Sequence, residues 1–397
     1  MTNQREVVVI GAGLVGAATA FELARRRMPV LVLDCDEVNA GASGRNAGSL
    51  HFQLEPRMSD TLREDPDRLA QLLPVSLQAI DDWRRLETEI GDVGYARSGG
   101  MLIGETHADE ALLHRKVELE NRNGLRTQLM SGSALAKAAP YLSSIVKVAS
   151  HCGEEGHADP LRVTPAYVNA GRDQGVDYWL KTRVLRVIQT EFGFDIQVSR
   201  AGANHDHTSS SVSYLQARRI VIACGAWSKS LVEQLGVQLD IRPVALTMSV
   251  TERTVPLVPH LVQHMGRKLS LKQTESGNLL IGGGWPAGLR WSGTSKELDG
   301  ADTVPDSLIG NLRVARDAVP AISSLRLIRS WTGIASDTPD HLPVCGPVPG
   351  VNQAYVIGAS SSFTLGPTLS KALAEIIVEG QSKLNVQHCD PSRIVIH

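Results

Sequence analysis

The first fifty residues constrain this chain more than any other stretch. Val7-Val8-Val9-Ile10 is an unbroken apolar run that stops at Gly11-Ala12-Gly13-Leu14-Val15-Gly16. A small-residue helical run follows as far as Arg27, then a second apolar run, Val30 to Leu33, ending at Asp34. Strand, glycine turn, helix, strand and acid in this order form the fingerprint for the ADP half of a dinucleotide. Each glycine has its own reason. Gly11 permits the tight turn, Gly13 lets a pyrophosphate approach the backbone, and Gly16 lets the helix close on the strand. The helix start offers free N–H groups and the positive end of its dipole to the phosphates. Asp34, about twenty residues on, can accept hydrogen bonds from a ribose. The fingerprint leaves FAD and NAD equally open.

The next stretch, Asn39 to Gly48, is built almost entirely of small residues, with Arg45 and Asn46 among them. Directly after a ribose-binding strand it reads as a second backbone cradle. Ser43 is placed to cap a helix or reach a phosphate, and Arg45 to neutralise pyrophosphate charge. Ser49 to Gln53 then runs toward the reactive ring, which makes His51 and Gln53 candidate site residues. A hydrogen-bonded structural histidine is the competing reading for His51.

The rest of the chain supplies a frame. Apolar residues from Leu69 to Leu86 recur at helical spacing, broken by Pro74, which predicts two helices or a kink. Short strands are expected at 99–104, 184–188 and 194–198, and helices at 109–122, 131–141, 164–174 and 306–319. His205-Asp206-His207-Thr208 reads as a polar hairpin tip rather than a metal site. Arg219 to Ala223 is a buried strand that runs into Cys224-Gly225-Ala226-Trp227-Ser228, again presenting backbone N–H groups. Near the C-terminus a strand at 354–357 leads into Gly358-Ala359-Ser360-Ser361-Ser362-Phe363-Thr364-Leu365-Gly366-Pro367 and a helix from Thr368. A second strand, small-residue loop and helix so far from the first favours a long, extended cofactor, FAD over NAD. That helix start would aim its dipole at the flavin N1–O2 edge.

Composition excludes several classes. Forty Lys and Arg against 42 Asp and Glu leave a net charge of −2, with the signs interspersed, which gives no basis for nucleic-acid binding. No apolar run is long enough to span a bilayer. Five scattered cysteines with no C-x-x-C pair argue against a disulfide framework or a metal cluster in this chain, and the default is a cytoplasmic, reducing setting.

With these pieces the chain resembles the D-amino-acid oxidase superfamily of flavoproteins. The resemblance is carried by Gly11–Gly16, Gly41–Gly48, Ala223–Ser228, Gly277–Gly283, Thr338–Pro343 and Gly358–Pro367. Within that superfamily it looks most like the FAD subunits of multi-subunit amino-acid dehydrogenases, such as those of opine oxidase, hydrogen cyanide synthase and proline or hydroxyproline dehydrogenases. The resemblance implies a mixed α/β plus α+β fold, a Rossmann-like FAD-binding domain interleaved with an antiparallel-sheet substrate domain. The expected segments are 1–78, 150–228 and 327–397 for FAD, and 79–149 and 229–326 for substrate. It implies non-covalent FAD held by Gly11, Ala12, Gly13, Leu14, Val15, Gly16, Asp34, Cys35, Ala42, Ser43, Arg45, Asn46, Ala47, Gly48, Val184, Ala223, Gly225, Trp227, Gly333, Ser361, Ser362, Phe363 and Thr364. It also implies oxidation of a C–N bond of an amino acid, or N-substituted amino acid, by hydride transfer to flavin N5.

Three departures from that pattern matter. Gly333 to Asp337 carries no arginine where such oxidases hold the substrate carboxylate, so Arg290, Lys268 and Lys272 become the alternatives. The serines at 360–362 replace a more glycine-rich loop. Asp34 stands where glutamate is commoner. By analogy, partner subunits with iron–sulfur or further flavin centres are expected, with possible peripheral attachment to the inner membrane through them. A catalytically silent flavin-binding subunit and an FAD-dependent tRNA-modification domain are the competing readings.

Overall fold

The structure is a computed structural model, and it describes residues 4–200, 211–293 and 297–396. The expected hairpin tip at 205–208 lies outside the described residues. Two eight-stranded sheets organise the fold, as the resemblance implies.

The first sheet has a parallel core. Gln4–Ile10 lies between Val30–Leu33 and Ser211–Ile222, with Val9 opposite both Val32 and Val221. Ala354–Ala359 extends it beyond Ser211–Ile222, and Asp177–Trp179 beyond Val30–Leu33. Pro343–Pro347 adds an antiparallel edge. The central strands are apolar throughout because helices cover one face and strands or loops the other; Val7, Val8, Val9, Val32 and Leu33 are fully buried. The helix Leu14–Arg25 packs on this sheet and against the C-terminal helix Gly366–Glu379. Alanines 17, 18 and 20 face those contacts with no exposure, which is what permits such close packing. The expected meander is present as Thr182–Thr190 and Gly193–Arg200, paired with the first half of Ser211–Ile222.

The second sheet runs in the order Leu327–Asp337, Arg242–Arg253, Asn278–Gly282, Ser270–Gln273, Leu261–His264, Gly100–Gly104, Val148–Cys152, Gln128–Ser131. Leu327–Asp337, grouped above with the last cofactor segment, pairs here with Arg242–Arg253 over ten register positions. Val148–Cys152 likewise crosses the expected boundary at 149. One face of the sheet, carrying Ile103, Val262, Leu271 and Ile281, buries Val314, Ala315 and Ala318 of the helix Pro305–Ala318. The other face, with Leu102, Val148 and Cys152, joins the apolar cluster that also holds the helices packed on the first sheet.

Helix limits follow local chemistry. Pro74 stands in the first turn of Leu73–Ile90, where its missing N–H costs nothing, so the apolar pattern splits into Pro66–Ala70 and that longer helix. His107–Arg122 starts with a reciprocal capping box between Thr106 and Asp109. The helix expected from Thr164 begins earlier, at Pro160, because the Asp159 side chain accepts the Leu161 N–H.

Candidate active site

The opening fingerprint folds as a cradle with no room for side chains. Gly11 has φ +112°, and a Cβ there would lie 2.5 Å from the Ala223 carbonyl oxygen. A Cβ on Gly16 would lie 1.9 Å from the Gly11 carbonyl oxygen. Gly13 is different: a Cβ would meet only the Ser43 hydroxyl, at 3.0 Å, so its bareness keeps space open rather than allowing packing. The Leu14 N–H donates to Ser43 Oγ at 2.9 Å, tying the second cradle to the first helix. Asp34 sits at the end of its strand and accepts the Ala12 N–H at 2.6 Å and the Asp36 N–H at 2.8 Å. Burial raises its carboxyl above the usual range, against the pull of those two donors.

The second cradle is closed by its own side chains. Asn46 donates to the carbonyls of Ala42 and Ser43 and accepts the Gly48 N–H. Arg45 is exposed; it donates to the Ala40 and Thr332 carbonyls, and its own carbonyl accepts the Trp331 indole. Gly333 passes directly over Arg45, and a Cβ on it would lie 3.2 Å from the Arg45 Cβ. Val184 packs in one apolar cluster with Cys224 and Trp179 at the end of the parallel strands. Ala223 continues the sheet by donating to Ile10, Gly225 takes φ +55°, and the half-exposed Trp227 donates to the Leu298 carbonyl.

The reactive end is built from segments far apart in sequence. Ser49–Leu50 pairs with Gly156–His157. The loop 359–365 lies across this pair: the Thr364 hydroxyl accepts the His51 N–H at 3.2 Å. That loop is strained, with φ +64° at Ala359 and +55° at Ser361, and is held from behind by Trp83. Trp83 is fully buried, donates to the Thr364 carbonyl at 2.7 Å and packs on Phe363. Beside the loop, the Ser361 hydroxyl contacts Glu55 at 2.8 Å and Arg57 at 2.5 Å, and Arg57 pairs with Glu55 at 2.7 Å and lies 3.6 Å from Asp337. Asp337 is also bonded to His341 at 2.6 Å and to Ser360. Burial pushes the Glu55 and Asp337 carboxyls up, but these partners bring both below the ordinary range.

Three bases face this region. Lys272 lies on Ser270–Gln273, on the face opposite the buried Leu271, and is 4 % exposed. Burial brings its amine down to about 7, with Asp159 opposing weakly. Burial also brings His51 and His157 to about 4, and the Lys272 charge acts on both. The Ser49 hydroxyl and the Nδ1 atoms of His51 and His157 are shielded from water and have no protein partner. Buried polar groups are rarely left so. Three orphans along one edge, opposite an open glycine cradle, fit a flat heteroaromatic ring with its own donors and acceptors.

Two sequence candidates stand elsewhere. Arg290 is exposed on the strand Gly288–Ser292, which pairs with Glu297–Asp302, and is engaged by Asp299 and Asp302 at 3.0 and 2.7 Å. Gln53 points away from the cradle into a buried network. Its N–H and amide both donate to Glu155 at 2.9 Å, and its amide oxygen accepts from Lys116 and Ser150. Lys116 also pairs with Glu120 at 2.8 Å, and burial raises Glu155 to about 7. Sequence reasoning missed Glu55, Arg57, His157 and Trp83 as site residues. Arg57 and Trp83 carried no local signal, since each acts on residues about 300 positions away.

These features define a flavoprotein oxidoreductase. The family model for DAO, FAD dependent oxidoreductase, matches residues 6–376, and the chain belongs to that family. Its cofactor is FAD. The chain is 26 % identical to glycine oxidase of Geobacillus kaustophilus and 25 % identical to an opine oxidase subunit of Rhizobium meliloti, covering 95 % of this chain and 94 % of each relative. In structure it is similar to L-proline dehydrogenase from P. horikoshii, with a TM-score of 0.84, 22 % identity and coverage of 99 % of this chain and 98 % of that one. None of the five cysteines is paired; Cys35 is exposed and Cys152, Cys345 and Cys389 are buried. Among the described residues no group of three His, Cys, Asp or Glu side chains could hold a metal, and no helix is long and apolar enough to cross a membrane.

Proposed function

We propose that the protein oxidises the C–N bond of an amino acid or N-substituted amino acid. The observation that carries this reading is that the buried Lys272, His51 and His157 come together from separate segments beside the loop 359–365, where burial lowers the basicity of all three. Bound FAD supplies the hydride acceptor. The chain's own residues do the rest. The Gly11–Gly16 and Gly41–Gly48 cradles and Asp34 would hold the ADP end, while Ser49–His51 and 359–365 would flank the ring. Substrates of this class oxidise as neutral amines, so a pocket that disfavours positive charge suits them. Lys272 is the cation available for a substrate carboxylate, because Arg57 is already balanced by Glu55 and Asp337.

The opine oxidase relative, and the hydrogen cyanide synthase relative HcnC that is 23 % identical to this chain, are both named as subunits. They support a reading in which this chain is the catalytic member of a hetero-oligomeric dehydrogenase, with iron–sulfur or further flavin centres on partner chains. The unpaired cysteines support a cytoplasmic setting.

The test is anaerobic. The FAD-loaded protein is mixed with a panel of amino acids, N-methyl amino acids and opines, and the flavin band near its absorption maximum is followed. Bleaching by one amine class is expected. A band unchanged by every amine refutes the reading.

A further inference from the structure

Lys272 is the least provided-for charged group in the described structure. It is almost fully buried, yet no carboxylate lies within ion-pair distance and no hydrogen-bond acceptor serves its amine. Lys116, equally buried, has a carboxylate, an amide oxygen and a hydroxyl around it. The strand's alternation decides where Lys272 points. Leu271 enters the apolar core beneath the helix Pro305–Ala318, so Lys272 looks the other way, toward the cofactor segments. Its electrostatic neighbours come from there: Asp159 acts on it, and its own charge acts on His51 and His157. A buried amine with no carboxylate partner adds nothing to the stability of the fold.

We propose that Lys272 takes the proton that the substrate carries on its nitrogen, and then holds the substrate carboxylate as the ammonium so formed. This rests on the amino-acid reading above. An amino acid arrives as a zwitterion, with an ammonium that must lose a proton before its α-hydrogen can leave as hydride. In the transfer one N–H bond of the substrate ammonium breaks and one Nζ–H bond forms. The pair goes from a neutral lysine plus zwitterion to a lysine ammonium plus amino carboxylate, with no proton exchanged with solvent. The histidines are poorer acceptors. An alkyl ammonium ordinarily titrates near 10; handing its proton to a group at about 4 is some thousandfold less favourable than handing it to one at about 7. The carboxylate then stabilises the charge that Lys272 has gained, so the step strengthens binding while activating the amine.

The first measurement does not depend on turnover. The FAD-loaded protein, labelled with [ε-13C]lysine, is titrated by NMR, and Lys272→Met assigns the signal. A midpoint near 7 is expected, and one near 10 overturns the proposal even if the amine panel succeeds. If that panel fails, the midpoint still reports on Lys272, so the two failures are distinguishable. The second compares glycine with trimethylglycine, which has no proton to give, by calorimetry at pH 8 in two buffers of different ionisation heat. Trimethylglycine should draw about one proton from the buffer and glycine none; equal uptake overturns the proposal. The third uses Lys272→Arg, a cation that cannot accept a proton. It should keep carboxylate binding within a few-fold while flavin reduction, by whichever amine bleaches the native protein, falls about 100-fold or more. Reduction at the native rate overturns the proposal.

Discussion

Replacing Lys116 with methionine tests how the second sheet is locked to the segment that follows Ser49–Leu50. Lys116 and Glu120 are both fully buried. The Lys116 amine touches Gln53 Oε1 and Glu120 Oε2, each at 2.8 Å, and Ser150 Oγ at 3.2 Å. Methionine fills the volume but leaves Glu120 charged and unpaired, with Glu155 nearby. Breaking a buried pair from one side costs about 3–5 kcal/mol. Unfolding entropy of about 2.1 cal/mol/K per residue, over 397 residues, gives about 0.8 kcal/mol per degree, so Tm should fall by about 4–6 °C. The double variant Lys116→Met/Glu120→Met removes both charges. Its residual loss is the Leu54 N–H, which donates to Glu120 at 2.7 Å and would be left without an acceptor, about 1–3 kcal/mol. Differential scanning calorimetry of the two single variants, the double variant and the native protein closes the cycle. A Lys116→Met shift under 1 °C, or a double variant less stable than Lys116→Met, would refute the reasoning. Because the network grips Gln53 and Leu54, two and three residues beyond His51, the single variant should also loosen flavin, read as the fraction retained on gel filtration.

The two fingerprint glycines should fail differently. Gly16→Ala has no space against the Gly11 carbonyl and should yield little folded protein, whereas Gly13→Val meets only the Ser43 hydroxyl and should fold but purify without flavin, as circular dichroism and absorbance would show. In flavin-free protein, His51 and His157 stay neutral to about pH 4 while the unfolded chain protonates them near 6.5. The unfolded state therefore binds more protons in that window, and stability falls as pH drops from about 6.5 to 4, by up to about 3 kcal/mol per histidine. Urea melts at pH 7 and 4.5 should show a smaller difference in His51→Gln/His157→Gln than in the native chain; an equal difference would disprove the assignment. Trp83→Phe keeps the packing on Phe363 but frees the Thr364 carbonyl, so flavin should dissociate more easily, about fivefold to a hundredfold, with the fold intact by circular dichroism.

The sequence by itself determined the glycine cradle. Strand, glycine turn, helix and acid are contiguous, and the physics of each glycine is local, so Gly11, Gly13, Gly16 and Asp34 could be placed from spacing alone. The Gly41–Gly48 cradle and the strand exits at Ala223 and Gly358 were legible for the same reason. Period-2 and period-3.6 patterns likewise gave several elements, but strands as short as Leu261–His264 and Ser270–Gln273 carry too few residues to show a period, and limits moved at Pro160 and at the helix Gly132–Ala138. Tertiary structure alone decided what surrounds the reactive end. Arg57 meets Ser361 and Asp337, Trp83 meets Thr364, and Lys272 comes near enough for its charge to act on His51 and His157, each across roughly one hundred to three hundred residues. Such meetings depend on how the two sheets face each other, which no local pattern records. The same global arrangement sent Gln53 into the Lys116 network and Arg290 to the surface, although in sequence both looked as suited to the site as Lys272. What a polar side chain does here is set by whether burial leaves it a partner, and burial belongs to the fold as a whole.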